Sequence, residues 1–195
     1  QHTRRRRQRQ MCIRDSGRTP YSRGGDGKAT LKAMLREYLI SEAIHYLNIP
    51  SSRSLAIIKT GESVYRETIQ EGAILARVMK SHIRVGTFEY ASYFGSVDDL
   101  KALTSYTINR LNPEIEKDEN TVLDFLNKVM INQIELVVNW MRVGFIHGVM
   151  NTDNTSIAGE TFDYGPCAFI NTYHPDTVYS SIDHNGRYAF GNQPK

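Results

Sequence analysis

The stretch that decides the fold is His147-Gly148-Val149-Met150-Asn151-Thr152-Asp153-Asn154, with Asp163-Tyr164-Gly165 a short distance downstream. It follows the most regular segment of the chain, Thr121–Val143, in which Val122, Phe125, Leu126, Val129, Leu136, Val137, Trp140 and Met141 form an apolar stripe at helical spacing. Between the two polar clusters, Thr155–Ala158 and Thr161-Phe162 flank a Gly159-Glu160 turn and predict a short hairpin. A triphosphate bound with Mg²⁺ needs hard oxygen ligands held at two rigid points. A hairpin that brings the Asn154 amide beside the Asp163 carboxylate meets that need. The plainer alternative makes Asp153 and Asn154 turn residues and Asp163 a strand-end cap.

Upstream of this stretch the chain is mixed. Leu31, Met34, Leu35, Tyr38, Leu39 and Leu47 predict a helix that ends before Asn48-Ile49-Pro50. Strand-like runs follow at Ser54–Lys59, at Ser63–Glu67 across a Gly61 turn, and at Ala73–Val78. Val97–Leu111 reads as a helix capped by Ser96, and 116–120 as a polar linker. The order of helix, strands, helices and a loop-dense end predicts an α+β fold. Three candidate side chains lie in this half. Glu37 is midway along the first helix, Arg77 ends a strand, and Arg84 lies just beyond it. Paired arginines clamp phosphates through bidentate contacts, although each alone also reads as a surface residue. The Gly24-Gly25-Asp26-Gly27 loop can bring backbone N–H groups to a phosphate, a weak signal in isolation.

The spacing of the decisive stretch is similar to that of a protein kinase, which carries H-R-D-x-x-x-x-N and then D-F-G. His147 falls on the histidine, Asn154 on the asparagine, and Asp163-Tyr164-Gly165 on the metal-binding triplet. The place of the catalytic aspartate is taken by Val149, which cannot accept a proton from a hydroxyl. Asp153 is the substitute base. Kinases also pair a helix glutamate with a nucleotide-binding lysine, the part open to Glu37.

Composition narrows the function classes. The chain has 195 residues and a formal charge of +3, but residues 1–16 hold six arginines and one aspartate. The remaining 179 residues carry 18 basic and 20 acidic groups, a net of −2, so the folded part does not advertise a nucleic-acid surface. No apolar run is long enough to span a bilayer. Cys12 and Cys167 make no disulfide framework, and there is no CxxC, HExxH or GxSxG motif. Residues 1–16 are predicted to be a disordered, non-native tail: the composition cannot offset its ordering entropy, and MCIRDS reads as a cloning remnant. A nucleic-acid-binding arm or transit peptide are the other readings of that segment.

Four blocks of the sequence together resemble selenoprotein O, the YdiU-like family of protein adenylyltransferases with a pseudokinase fold. They are GRTPYSRGGDGKATLKAMLREYLISEAIHYLNIP from Gly17, ARVMKSHIRVGTFEY from Ala76, VGFIHGVMNTDNTSIAGETFDYGP from Val143 and DHNGRYAFGNQP from Asp183. The resemblance implies a partial protein-kinase-like fold. Residues 17–95 would form an incomplete N-lobe and 96–195 part of a helical C-lobe bearing the metal and nucleotide site. It implies AMP transfer from ATP to Ser, Thr or Tyr hydroxyls of proteins, with Mg²⁺ or Mn²⁺ and release of pyrophosphate. Carried onto this chain, Asp153 is the proton acceptor, and Asn154 and Asp163 hold the metal. Asp26, Gly27, Arg77, Arg84 and Asp163 contact the nucleotide, and Glu37 supports the ATP-binding lysine. That lysine's position falls on Arg14, and the family's earlier glycine-rich segment and larger C-terminal region have no counterpart here. The expectation is an active whole protein and a weak or inactive fragment, in a bacterial cytoplasm or, in a eukaryote, a mitochondrion. A conventional kinase using Asp153 as base and a non-catalytic pseudokinase scaffold are the alternatives.

Overall fold

Thr30 starts the first helix by accepting the Ala33 N–H on its hydroxyl. The helix, α1 (Leu31–Tyr46), stops where Asn48 turns left-handed at φ 60°. There the Asn48 N–H donates to His45 O and the Ile49 N–H to Ile44 O, which closes the helix end and folds Ile49 back onto Ile44. A computed structural model describes residues 9–14, 17–18 and 25–195, and its remaining elements follow in order. They are β1 (Gln10–Arg14), β2 (Ala29–Thr30), β3 (Arg53–Tyr65), β4 (Ile69–Met79), α2 (Val85–Phe94), α3 (Val97–Leu111), α4 (Thr121–Arg142), β5 (Phe145–Ile146) and β6 (Ala168–Phe169). Helix and sheet are mixed, as the α+β reading expects.

β4 is the central strand of the larger sheet, with β3 antiparallel on one edge and β1 and β2 end to end on the other. Two expectations are corrected here. First, Gly61 is not a turn between two strands. Lys59 pairs with Ala73 and Ser63 with Glu71, so 60–62 bulge opposite Gly72 within one long strand, with Gly61 at φ 74°. Secondly, residues 10–14 of the supposed tail form β1, in register from Gln10 opposite Met79 to Arg14 opposite Leu75. Its three apolar residues, Met11, Cys12 and Ile13, are diluted in a composition taken over sixteen positions. An open sheet edge recruits such a short stretch through its backbone hydrogen bonds. The rest of residues 1–16 lies outside the described residues, apart from Arg9.

α1 crosses the sheet and joins two cores. Met34 packs with Ala29, Ala73 and Leu75, while Ile44 joins Ile49, Leu136, Val137, Trp140, Phe145, Tyr164 and Cys167. α4 joins that second core to a third built on Ile108, Leu111, Phe125, Ile157 and Ala158. Its predicted stripe is only partly buried: Phe125, Leu136, Val137 and Trp140 face inward, whereas Val122 and Leu126 are exposed. α3 runs over its predicted span, with Ser96 and Asp99 capping each other. The predicted hairpin at 155–162 does not pair with itself. Ser156 bridges to Arg84 and Thr161 to Ser51, so its two arms are tied to different parts of the chain. Gln193 pins the C-terminal tail to the same region, accepting the His147 N–H at 2.9 Å and donating to Phe145 O at 3.0 Å.

Candidate active site

Asp163 is in the left-handed region at φ 61°, a conformation that costs a non-glycine residue about 1 kcal/mol or more unless its surroundings impose it. They do. Glu37, buried on α1, accepts the Asp163 N–H on Oε1 at 3.1 Å and the Tyr164 N–H on Oε2 at 2.6 Å. Its neighbour Arg36 donates from Nε to Gly165 O at 2.9 Å and from its guanidinium to Cys167 O. Two consecutive helix residues thus grip this segment, one by the N–H groups of Asp163 and Tyr164 and the other by the carbonyls of Gly165 and Cys167.

The Asp163 carboxylate is then met by arginine. Arg77, 1 % exposed, donates from Nη1 to Asp163 Oδ1 at 2.6 Å and to Glu37 Oε1 at 3.2 Å. Arg84 brings Nη2 to 3.8 Å from Asp163 Oδ2. Both guanidinium carbons lie 4.9 Å from the centre of the Phe162 ring, which holds the two cations beside one carboxylate. Arg77 faces inward, whereas the Arg84 side chain keeps 31 % of its surface open to solvent.

The loop that carries Asp153 and Asn154 is a single 3-10 turn, Thr152–Asn154, and Asn151 caps it by accepting the Asn154 N–H at 3.1 Å. Asn154 Nδ2 donates to Val149 O at 2.8 Å, so its Oδ1 is the amide's acceptor end. Asp153 lies against the first turn of α2: a Cβ added at Gly86 would come 2.5 Å from Asp153 Oδ1. The loop and the α2 start are stitched by Val85 N–H to Thr155 O and by the Arg84–Ser156 bridge. Arg84 therefore links the two halves of the site, its backbone on the Asp153 loop and its side chain toward Asp163.

The structure brings Glu37, Arg77, Arg84 and Asp163 into direct contact, with Asp153 and Asn154 on the loop bound to the Arg84 segment. Asp26 and Gly27 are elsewhere in the contact pattern. Asp26 is held by Arg66 at 2.9 and 3.0 Å and by the Lys28 N–H at 3.0 Å. The Arg66 hydrogen bonds, with help from that N–H, pull its carboxyl down to about 2. Glu37, expected opposite a lysine, takes Arg77 and two backbone N–H groups; the Arg14 side chain lies outside the described residues. Sequence reasoning missed α2 entirely, along with Arg36 and His82. The signal for α2 was Thr87, whose hydroxyl accepts the Arg84 N–H at 3.1 Å. That signal is faint because no α2 residue is fully buried, and only Val85 and Phe88 pack, partly buried, against the Ile108–Phe125 core.

His82 adds a pH dependence. Burial, then the Arg77 and Arg84 charges, push its imidazole down to about 4, and its Nε2 is buried without a hydrogen bond. The folded state therefore binds a proton more weakly than the unfolded chain. Stability is intact above about pH 6.5 and falls as pH drops toward 4. Between pH 7 and 5 the loss from this partly exposed group is expected to be about 1–2 kcal/mol. His82→Gln should flatten the denaturation midpoint over that range relative to the parent chain, since the other titrating groups are common to both.

Among the described residues no group of three or more His, Cys, Asp or Glu could hold a metal. A site with one amide and one carboxylate suits Mg²⁺ or Mn²⁺, which take their other ligands from water and phosphate, and does not suit a zinc or calcium cage. By chemical type, the Oδ1 of Asn154 and the Asp163 carboxylate fit that donor set. Cys167 is no candidate nucleophile: burial pushes its thiol up to about 11.

The family model described as protein adenylyltransferase SelO matches residues 2–195. The chain belongs to this family. The match reaches back through β1 and most of the arginine-rich segment that composition alone sets apart. Among curated relatives, each named protein nucleotidyltransferase YdiU, that of Clostridium botulinum strain Alaska E43 is 61 % identical over 183 residues, 94 % of this chain. That of Brevibacillus brevis is 63 % identical over 182 residues, 93 % of the chain, and that of Pelagibacter ubique 60 % over 183. The chain spans 37–38 % of the length of these SelO-family relatives. No helix among its described residues is long and apolar enough to cross a membrane.

Proposed function

We propose that the whole protein is an adenylyltransferase that moves AMP from ATP to a Ser, Thr or Tyr hydroxyl of a protein. The observation that carries this reading is the Glu37–Arg77–Asp163–Arg84 cluster, which fixes a carboxylate beside a solvent-reaching arginine in a chain of the SelO family. We assign it a kinase-like fold, with 17–95 in the N-lobe role and 96–195 in that of the C-lobe.

In this reading Arg84 and Arg77 neutralise the phosphates, and the loop carrying Asp26 and Gly27 completes the nucleotide contacts. Asn154 and Asp163 hold Mg²⁺ or Mn²⁺, which when bound supplies Lewis-acid stabilisation of charge on the phosphate oxygens. Asp153 accepts the proton of the acceptor hydroxyl. The hydroxyl oxygen bonds to the α-phosphorus, the bond from that phosphorus to its bridging oxygen breaks, and pyrophosphate carries away the electron pair. Val149 leaves the usual kinase base position empty of any proton acceptor, so the work falls to Asp153 at the positive end of α2.

ATP labelled separately at the α and γ phosphates tests the reaction. Label from the α position on acceptor protein is expected, and γ-label would instead establish a kinase. No transfer of either by the whole protein would reduce the fold to a binding scaffold. The 195 residues alone are expected to transfer weakly or not at all.

Gly86 offers a second check. Alanine there meets the mobile end of the Asp153 side chain, which has to swing away, while an alanine in the first turn of α2 is neutral or stabilising by up to ~1 kcal/mol. Gly86→Ala in the whole protein is expected to lower transfer by about 10²-fold, the scale of a 1 Å misplacement, with a denaturation midpoint no lower than the parent's.

A further inference from the structure

The grip of α1 on the D-Y-G backbone accounts for one side of that segment only. From the other side the Tyr164 side chain runs into the core, 1 % exposed, edge-on to Phe145 at 6.1 Å and beside His147 at 6.5 Å. Its hydroxyl ends 2.5 Å from Ser51 Oγ. A phenylalanine would fill the same apolar space, so packing does not explain the oxygen.

Proton placement gives the pair a direction. Ser51 Oγ lies 2.9 Å from Ser52 O and 3.2 Å from Ser41 O, and both carbonyls can only accept. The single serine proton therefore goes to a carbonyl, and Tyr164 donates to Ser51. Burial pushes the phenol well above its ordinary range, so it stays a donor. The remaining acceptor near Tyr164 is Thr161 O, at 3.4 Å. Ser51 is itself anchored: its proton is shared between Ser52 O and Ser41 O on α1, and its neighbours tie it to the far arm of the loop. There the Ser52 N–H donates to Thr161 O and the Thr161 N–H to Pro50 O, each at 2.9 Å.

We propose that the Ser51–Tyr164 hydroxyl pair is a positioning latch that holds Asp163 in its left-handed conformation and so aims the carboxylate. Both residues are buried and act through Asp163. Asp163 is the one strained non-glycine in the segment, and a strained residue persists only where its surroundings over-determine it. Glu37 fixes the two N–H groups, and the latch removes the rotation that remains, by tethering the next side chain to the same helix that carries Glu37. The functional part of this proposal rests on the adenylyltransferase reading, because it gives Asp163 its metal. The structural part does not.

Hydrogen exchange separates the two. In the protein, Tyr164→Phe and Ser51→Ala are each expected to speed exchange of the Tyr164 N–H about tenfold, with the α4 amides unchanged. The double variant should be no faster than Tyr164→Phe alone, since both changes break one bond. Unchanged exchange, multiplied effects in the double variant, or equal acceleration across α4 would each overturn the latch. In the whole protein the KM for Mg²⁺ should rise about tenfold in either variant, with kcat at saturating Mg²⁺ within threefold of the parent. A fall in kcat with no change in KM would overturn the positioning role. Should the parent transfer no AMP, the adenylyltransferase reading fails, and the exchange data still decide the latch.

Discussion

Asp163→Asn in the whole protein is expected to cut AMP transfer by at least about 10³-fold while leaving the fold within about 1 kcal/mol of the parent. The substitution is chosen for its shape. Asparagine tolerates the left-handed region, so the φ of 61° is not a new penalty, whereas alanine would add one of about 1–2 kcal/mol. The amide still offers an oxygen to Arg77, which keeps Glu37 as its charged partner. Arg84 loses its nearest carboxylate contact at Asp163 but has water to turn to, at 31 % exposure. In the proposed function, what disappears is the negative charge that would face the cation and the phosphates. A loss of ~4 kcal/mol of transition-state stabilisation corresponds to the stated 10³-fold. Transfer of α-label and urea denaturation, run side by side, check both halves. Activity within tenfold of the parent would remove Asp163 from the chemistry and the proposed function with it.

The parts of this fold that were legible in the sequence are those decided by neighbouring residues. Ser96 and Asp99 start α3 by capping each other, and Asn48 ends α1 by adopting a conformation that asparagine tolerates. The parts that were not legible depend on partners far along the chain. Gly61 reads as a turn locally and becomes a bulge only because β4 continues opposite it. β1 exists because β4 offers an edge, and nothing within residues 10–14 announces that edge.

The candidate site divides along the same line. Residue types and spacing singled out Glu37, Arg77, Arg84, Asp153, Asn154 and Asp163, because carboxylates, amides and arginines are what a phosphate and cation site needs. The pairings were beyond reach. That Arg77 bridges Glu37 and Asp163 follows from the register of β4 against its neighbours and from the rotation of α1, and neither is written in any one segment. Arg36 and Ser51 escaped notice for a related reason. They act on backbone carbonyls and on a buried hydroxyl, and such partners have no sequence signature.

Arg77→Met is expected to destabilise the chain by about 3–5 kcal/mol at neutral pH, the largest stability effect of any single substitution at the site. Methionine has nearly the length of the arginine stem and is tolerated in packed apolar surroundings, so cavity formation contributes little. The cost is electrostatic. Arg77 is 1 % exposed and is the buried cation between the Glu37 and Asp163 carboxylates, whose own side chains are 3 % and 11 % exposed. Removing one member of a buried ionic cluster leaves its partners desolvated without compensation. Two carboxylates left facing each other favour retention of a proton by one of them. The sign of the resulting pH dependence is then fixed. A carboxyl that binds its proton more tightly in the folded state than in the unfolded chain penalises folding at high pH and ceases to do so below the unfolded value near pH 4. The gap between variant and parent should therefore narrow steadily as pH falls from 7 toward 4. The His82 effect adds to that trend: its low-pH loss of stability is weaker in the variant, because the Arg77 charge contributes to it, so the parent falls further. Denaturation midpoints of the two chains at pH 7, 5.5 and 4 measure it. A gap that is constant across that range would mean that Arg77 matters for its packing alone, and that the cluster's charge is balanced by other means.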